Sequence, residues 1–302
     1  MYEQIAANKR KTVLLFIVGI AFLGTIGLVV GAVWARSAIT GLVLALGLAT
    51  VLSLFSYFSG DKLVLASTRA REVSPQDQPR LHNIVEGLAI AAGITKPRVY
   101  VIPERAPNAF ATGRDPDHAS VAVTEGLLGS LNRVELEGVI GHELAHIQDR
   151  DILVGTVVAT VVGAAVLLSE FFMRSWFWGG IGGRRGDDNN GGVVGLVLLV
   201  VGLLLLIVAP IAGQIIKMSV SRNREFLADA QGVMLTRYPP GLIAALQKIA
   251  AAPTAMRSAN NATAHLWLNQ PSRIEGEKMG PLEKLFSTHP PIAERIRRLQ
   301  EM

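Results

Sequence analysis

The sequence predicts a mostly helical integral membrane protein, with four transmembrane helices and a split cytoplasmic domain of mixed α and β structure. Half of its 302 residues are hydrophobic, and they are concentrated in four long runs. About 20 apolar residues are enough for a helix to cross a hydrocarbon core of roughly 30 Å. Four such runs in one chain favour embedding in a membrane over burial in the core of a soluble protein.

The four apolar runs are expected to be transmembrane helices, at residues 12–34, 39–58, 152–168 and 193–216. Three basic residues precede the first run, as in a signal peptide. That run is nevertheless too long for a signal core, and a second run follows at once. We therefore expect it to be retained as an anchor.

Basic residues predict the orientation of the chain. They gather before the first run, after the second and after the fourth, whereas Arg36 alone separates the first two. Because basic residues favour the cytoplasmic side, both termini and both polar blocks are placed in the cytoplasm. Three arginines between the third and fourth runs weaken this asymmetry. The same clustering at span ends accounts for an isoelectric point near 9.7, so no nucleic-acid partner is expected.

These runs divide the chain into four parts. Residues 1–58 form a two-span membrane anchor, and residues 59–151 form the first half of the cytoplasmic domain. Residues 152–216 form a transmembrane hairpin with a glycine-rich loop at 179–192. Residues 217–302 complete the domain. The two polar blocks together are long enough to build one ordinary core.

The first polar block has the pattern of a helix followed by three strands. Residues 75–92 carry an apolar stripe at helical spacing and end at Gly93. Short strands are expected at 98–102, 108–112 and 120–124, because proline, glycine and Asp-Pro separate apolar runs of strand length. Two further helices are expected in the second block, at residues 241–251 and 292–299.

The most informative motif runs from His142 to His146 and reads His-Glu-Leu-Ala-His. Histidines four residues apart share one face of a helix, so both rings can reach a single metal ion. Glu143 would lie beside that metal, where it can act on a water molecule. Asn132 and Glu135 resemble a capping box ahead of this segment, which is expected to be helical. The pattern is that of a zinc hydrolase; a helix with two ordinary histidines is the alternative.

A hydrolytic zinc site commonly needs a third protein ligand. The chain has no cysteine, so this ligand must come from histidine or a carboxylate. Glu225 is the candidate, and Asp229 follows four residues later on the same helical face. Asp229 could then accept the free N–H of a ligand histidine. The alternative is that Arg224 and Glu225 form a surface charge pair.

Four motifs resemble those of a known family when they are taken in order. They read Asn-Ala-Phe-Ala-Thr-Gly at 108–113, His-Glu-Leu-Ala-His at 142–146, Ser-Arg-Asn-Arg-Glu-Phe-Leu-Ala-Asp at 221–229 and Ser-Thr-His-Pro-Pro at 287–291. Their order and separations resemble the HtpX family of membrane-bound heat-shock zinc endopeptidases, which is related to the CAAX prenyl endopeptidases. The resemblance extends over nearly the whole chain, although the loop at 179–192 is unusually rich in glycine.

The resemblance implies a gluzincin-like, zincin-type protease domain with one Zn²⁺ per chain. It implies that His142, His146 and Glu225 bind the metal and that Glu143 is the catalytic base. It also implies polypeptide substrates, namely misfolded or damaged membrane proteins, and a place in the bacterial cytoplasmic membrane with the lipid bilayer as a further partner. The oligomeric state is not predicted.

Further residues are candidates for substrate handling. His289 lies in a family motif between a threonine and two prolines and could be a second electrophile; a helix-capping or core histidine is the alternative. Extended substrates can pair with an exposed edge strand, and Asn108, Ala109, Phe110 and Ala111 suit such an edge, unless that strand is interior. The three remaining histidines have no motif around them and are expected at the surface or in loops: His82, His118 and His265.

Two rival functions remain at this stage. An intramembrane protease would bury the His-Glu-x-x-His segment in a span and use a Leu-Asp-Gly motif, which the sequence lacks. A membrane chaperone or adaptor with structural zinc would need a closed four-ligand shell, and no fourth ligand suggests itself. Both are less consistent with the sequence than a protease at the membrane surface.

Overall fold

The computed structural model describes residues 2–34, 37–160, 222–252, 256, 263–269 and 290–302. Two long helices open the chain, α1 (Tyr2–Trp34) and α2 (Ala38–Ser67). They contain the first two predicted spans. Their large apolar side chains are widely exposed, among them Leu14, Ile17, Ile39, Val43 and Leu44. Long exposed apolar surface of this kind suits contact with lipid.

Close packing joins α1 to α2. A Cβ atom added at Gly31 would lie 2.5 Å from the Cα of Gly41, so the two backbones touch where small residues allow it. Within the described residues, α2 is the one helix that is long and apolar enough to cross a membrane, with a mean hydropathy of 2.3 in its most apolar window. The third predicted span lies partly, and the fourth wholly, outside these residues.

A four-stranded sheet follows, made of β1 (Arg71–Glu72), β2 (Arg98–Ile102), β3 (Ala109–Gly113) and β4 (Ala119–Thr124). Its strand order is β1-β2-β4-β3, with β2 and β4 parallel and the other neighbours antiparallel. All three predicted strands are confirmed to within a residue at each end. Among the described residues β3 lies at the edge of the sheet, as predicted, but its residues are buried rather than exposed.

Both faces of the sheet are covered. Val99 and Val101 of β2 point into a core shared with α3 (Pro79–Ala92) and α5 (Arg133–Gln148). Tyr100 and Ile102 point the other way, towards the C-terminal end of α2 and Trp267. Alternating side chains point to opposite faces of a strand, so the sheet separates two cores and fixes α5 against one of them.

The helix α3 begins later than its sequence predicts. Ser74 and Asp77 hydrogen-bond each other, with 2.6 Å between the hydroxyl and the carboxylate. They close a separate turn, and the helix starts at Pro79, a residue well suited to a first helical position. The predicted end at Gly93 is confirmed, with φ at 66°.

The remaining described helices are α4 (Glu125–Ser130), α6 (Asp151–Thr160), α7 (Arg222–Thr236), α8 (Pro239–Ala251) and α9 (Ile292–Gln300). The predicted helices at 241–251 and 292–299 are confirmed. Apolar residues of α7, α8 and α9 form a third small core, in which Leu242, Leu246 and Leu299 are buried. The helix α5 ends at Gln148, before the third predicted span, and the chain turns at Arg150, where φ is 58°.

Candidate metal centre

The helix α5 carries the His-Glu-Leu-Ala-His motif and begins as the sequence predicts. The Asn132 side chain accepts a hydrogen bond from the Glu135 backbone N–H at 3.0 Å, and the Glu135 carboxylate accepts one from the Asn132 N–H at 2.8 Å. The predicted capping box is therefore confirmed. Apolar residues of this helix, including Val139, Ile140 and Leu144, are buried against the sheet, which leaves the histidines facing α7.

The helix α7 crosses α5 at very short range. A Cβ atom added at Gly232 would lie 2.7 Å from the backbone nitrogen of His142 and 3.0 Å from the carbonyl carbon of Gly141. No side chain fits between the helices there. Since Glu225 lies about two turns before Gly232, this close crossing brings its carboxylate to the histidines.

Three potential ligands converge on one point. The Nε2 atoms of His142 and His146 lie 3.1 Å apart. The Glu225 carboxylate lies 3.6 Å from Nε2 of His146 and 3.8 Å from Nε2 of His142. These three residues are the group that could hold a metal ion within the described part of the chain. Both nitrogen atoms and the carboxylate thus face a common centre.

The spacing suits zinc. Nitrogen and oxygen ligands at tetrahedral corners, about 2.0–2.2 Å from zinc, lie roughly 3.3–3.5 Å from one another. The three measured distances bracket this range, so small side-chain adjustments would suffice for coordination. His142 and Glu225 are almost fully buried, whereas 16% of the His146 side chain is exposed.

A carboxylate supports each histidine from behind. The Nδ1 atom of His142 lies 2.9 Å from Asp229, and Nδ1 of His146 lies 3.1 Å from Asp151. With both Nδ1 protons donated to these carboxylates, each Nε2 offers a lone pair to a metal. The structure therefore places Asp229 at a histidine, where the sequence suggests it. Asp151 was missed, since no spacing rule links it to His146.

Two arginines hold the supporting carboxylates. Arg295 of α9 is fully buried and donates two hydrogen bonds to Asp229, at 2.8 and 2.6 Å. Arg224 donates one to Asp151 at 2.7 Å. Each arginine thus pairs with an aspartate that supports a histidine. Arg295 also approaches Glu225, at 3.9 Å.

The two histidines have opposite pKa shifts. Burial and then the charge of Arg295 lower the pKa of His142 to about 4, although Asp229 opposes them. Burial also acts to lower the pKa of His146, but its hydrogen bond to Asp151 and the charges of Glu225 and Asp151 raise it to about 9. Burial favours protonation of Asp229, but Arg295 and His142 hold its pKa down, at about 2.

Glu143 is buried and faces a cleft beside the ligands, together with His146, Glu225 and Ala111 of β3. The opposite wall includes His265, whose Nε2 lies 3.0 Å from the Gly155 carbonyl oxygen. His265 lies in a short 3-10 turn (Ala264–Leu266), which agrees with the expectation of a surface or loop position, but its side chain is buried.

The other predicted residues take different places. His82 is buried and contacts the Val73 carbonyl oxygen at 2.9 Å, so its expected surface position was also wrong. His118 is half exposed and bonds Asp115, as expected of a loop residue. His289 lies outside the described residues; Pro290, the next residue, is buried.

Three residues of the predicted substrate strand are already engaged. The Asn108 side chain is buried and donates to the Asn269 carbonyl at 2.6 Å. The Leu268 N–H donates to the Ala109 carbonyl at 2.9 Å. Phe110 packs against Trp267 with ring centroids 4.8 Å apart. The strand therefore faces the cleft through Ala111.

Comparison with known proteins identifies similar chains. The model of peptidase family M48 matches residues 75–302. A protease HtpX homolog of Streptococcus gordonii is 42% identical over 302 residues, covering all of both chains. Another, of Thermoanaerobacter pseudethanolicus, is 46% identical over 303 residues and covers all of this chain and 98% of its own.

A solved structure is similar in fold. The crystal structure of S. mikatae Ste24p superposes with a TM-score of 0.50 over 99% of this chain and 67% of that chain. Sequence identity is 16%, so this likeness concerns the fold alone. The resemblance to the HtpX family drawn from the sequence motifs is confirmed.

Proposed function

The chain belongs to peptidase family M48, and we propose that it is a zinc endopeptidase whose metal is held by His142, His146 and Glu225. It is a membrane-associated metalloprotease, like its full-length relatives. The observation that supports the ligand set is the convergence of two Nε2 atoms and one carboxylate at distances of 3.1, 3.6 and 3.8 Å.

The donor set suits a catalytic metal better than a structural one. Two imidazoles and one carboxylate leave a fourth tetrahedral position for water or substrate. Glu143 is buried and lines the cleft together with His146 and Glu225. A hydrolase needs a carboxylate next to the open metal position as a general base for water. An adaptor that binds zinc structurally has no such need.

The residues around the cleft divide the chemistry of peptide hydrolysis. A zinc ion bound at the three ligands would polarise the scissile carbonyl and lower the pKa of water. Glu143 takes a proton from the water whose oxygen adds to the carbonyl carbon. When the C–N bond breaks, Glu143 gives that proton to the leaving nitrogen. Asp229 and Asp151 keep the histidines oriented throughout.

We propose that an extended substrate pairs with β3 at Ala111. The Thr124 N–H donates to the Asn108 carbonyl. Every second residue from Asn108 onward therefore directs its backbone N–H and C=O groups towards β4. The backbone groups of Ala109, Ala111 and Gly113 alternate with them and face outward. Leu268 binds Ala109, and the Thr156 hydroxyl binds Gly113. Ala111 lies between them at the cleft, which supports backbone pairing there.

We also propose the finer biological assignment that the family resemblance implies. The substrates would be misfolded or damaged membrane proteins. The chain would span the cytoplasmic membrane four times, and α5 and α7 would lie in the two halves of a cytoplasmic domain, 59–151 and 217–302. His289 would be a second electrophile near the cleft. The exposed apolar surface of α1 and α2 supports the membrane assignment.

The decisive experiment replaces the base while sparing the ligands. In detergent-purified protein, Glu143→Gln should retain about one zinc per chain yet cleave a denatured, fluorescently labelled polypeptide at least about 100-fold more slowly. Glu137→Gln is the matched control, because Glu137 lies on the same helix and its carboxylate pairs with Arg133 at the exposed side of that helix. Its rate should equal that of the wild type.

Two results would contradict the proposal. Undiminished cleavage by Glu143→Gln would remove that residue from the mechanism. Tight zinc binding without any cleavage by the wild-type protein would favour the adaptor or chaperone. For the ligand set, Glu225→Ala should lower zinc affinity by more than the 10–100-fold typical of residues that only support a ligand.

A further inference from the structure

Asp151 reaches the metal centre through an unusual turn. The helix α5 ends at Gln148, and Arg150 takes a left-handed conformation with φ at 58°. For a residue other than glycine this conformation is uncommon and must be held by its surroundings. The turn carries the Asp151 carboxylate back over the helix, where one oxygen lies 3.1 Å from Nδ1 of His146.

The second oxygen of Asp151 is bound from two other helices. Arg224 of α7, next to the ligand Glu225, donates to it at 2.7 Å. The side-chain amide of Asn8, in the N-terminal helix α1, donates to the same oxygen. Both Asp151 and Arg224 have only 10% of their side chains exposed. The orientation of Asp151 is therefore fixed from three directions.

Asn8 uses its whole amide in this network. Besides Asp151, its Nδ2 donates to the Asp149 backbone carbonyl at 3.0 Å, and its Oδ1 accepts from Arg224 at 3.3 Å. Asn8 is 2% exposed. Burying an amide is costly unless its hydrogen bonds are satisfied, and here every partner belongs to the turn or to α7. The helix α1 thus contacts Asp151, the residue that orients His146, through Asn8.

Neighbouring residues of α1 show that this contact is a face and not a single point. Lys11 lies near Arg224 and Asp151. Burial and then the charge of Arg224 lower the pKa of Lys11, while the charge of Asp151 acts in the opposite direction. Thr12, four residues after Asn8, is also buried. Residues at these spacings share one side of a helix, so one side of α1 packs against the metal domain.

We propose that Asp151 is a positioning residue for His146 and that Asn8 is a second one, acting through Asp151. The packing of the N-terminal helix α1 against the metal domain thereby sets the zinc affinity and the geometry of the metal centre. This proposal rests on the proposed function, since it requires a metal at His146. Partners that orient a ligand histidine typically change metal affinity 10–100-fold.

The test compares three variants of the full-length protein in detergent. Zinc affinity is measured by competition with a chromophoric chelator. Asp151→Ala should bind zinc about 10–100-fold more weakly. Asn8→Leu removes one hydrogen bond to Asp151 and should weaken zinc binding about fivefold.

Thr12→Val is the matched control. Thr12 is buried on the same side of α1, but its hydroxyl donates to the Asn8 carbonyl of its own helix at 3.0 Å. If zinc affinity depended only on how tightly α1 packs, substitutions at Asn8 and at Thr12 would lower it equally. Thr12→Val should therefore retain wild-type zinc affinity.

A spectroscopic reading separates positioning from stability. In the cobalt-substituted protein, the visible ligand-field bands depend on the geometry of the bound histidines. Asp151→Ala and Asn8→Leu should shift these bands, while Thr12→Val leaves them in place. Wild-type affinity and spectrum in Asp151→Ala would overturn the proposal, and equal losses in Asn8→Leu and Thr12→Val would overturn the part assigned to Asn8. A wild-type protein that binds no zinc would instead refute the proposed function.

Discussion

His142 and His146 lie one helical turn apart, and each has an aspartate behind its ring and an arginine behind that aspartate. The partners of His142 are Asp229 and Arg295, both almost fully buried and contributed by α7 and α9. The partners of His146 are Asp151 and Arg224, which are slightly exposed and linked to the N-terminal helix α1 through Asn8. One histidine is anchored in the core of the domain, and the other where the domain contacts α1.

The difference matters electrostatically. Arg295 lies 3.3 Å from Nδ1 of His142 through its Nη2 atom, so a cation accompanies the buried carboxylate and the ring stays neutral, with a pKa of about 4. His146 faces carboxylates more closely than cations, and its pKa rises to about 9. Each histidine has an aspartate and an arginine beside it, yet the two rings differ. The ring of His142 is already neutral and can bind a metal, whereas His146 carries a proton that the metal must displace.

The largest expected effect concerns the buried arginine. Arg295→Met should lower the free energy of unfolding by about 3–5 kcal/mol, because it leaves Asp229 buried without its cation. Arg224→Met should cost less, since Asp151 keeps its contacts with His146 and Asn8. The measurement is denaturant or thermal unfolding of the full chain in detergent.

A surface arginine on the same helix provides the control. Arg297 is 61% exposed and pairs with Glu301, so Arg297→Met should change stability by no more than about 1 kcal/mol. If Arg295→Met proved as mild as this control, the distinction between a core anchor and an anchor at α1 would be wrong.

The sequence predicts one of these anchors and not the other, for a physical reason. Asp229 follows Glu225 by one turn of the same helix, so helical periodicity alone places it near the ligands. Asp151 reaches His146 only because Arg150 adopts a left-handed turn, and local sequence gives no signal for that conformation. Asn8 is separated from Asp151 by more than 140 residues, and its contact depends on how α1 packs.

The same reasoning applies to the fold. Strands and helices with a clear apolar period, such as β2 and α8, could be predicted to within two residues at each end. The burial of His82 and His265 could not be predicted, because it depends on how the chain packs: His82 contacts Val73 across a turn, and His265 contacts Gly155, 110 residues away.

The second prediction compares the two aspartates directly. Asp229→Ala should weaken zinc binding near the upper end of the 10–100-fold range, and more than Asp151→Ala does. The reason is that Arg295 would be left uncompensated beside His142 and would repel the metal. In the double variant Asp229→Ala/Arg295→Met, part of the lost affinity should return, as measured by chelator competition.

The double variant decides whether that explanation holds. Additive losses of zinc affinity from the two substitutions would show that Arg295 and Asp229 act independently, which contradicts repulsion of the metal by an unpaired Arg295. Equal losses from Asp229→Ala and Asp151→Ala would show that the two anchors contribute alike, despite their different burial.

The smallest expected effect is on the pH dependence of the zinc-free protein. The folded pKa of His146, about 9, lies above its unfolded value near 6.5. Its contribution to stability is therefore fully present below pH 6.5 and is lost as the pH rises towards 9. The folded pKa of His142, about 4, lies below the unfolded value, so stability also falls as the pH drops from 6.5 towards 4.

The unfolding temperature of the zinc-free protein should consequently be highest near pH 6.5 and fall by about 2–4 °C per pH unit on each side. Asp151→Ala should remove most of the alkaline decline and leave the acid one, because only His146 loses its partner. Saturating zinc should suppress both declines near neutral pH, since the metal takes the place of the proton on the rings. A zinc-free wild-type protein equally stable from pH 6.5 to 9 would show that His146 does not hold a proton there, and the electrostatic contrast between the two histidines would fail.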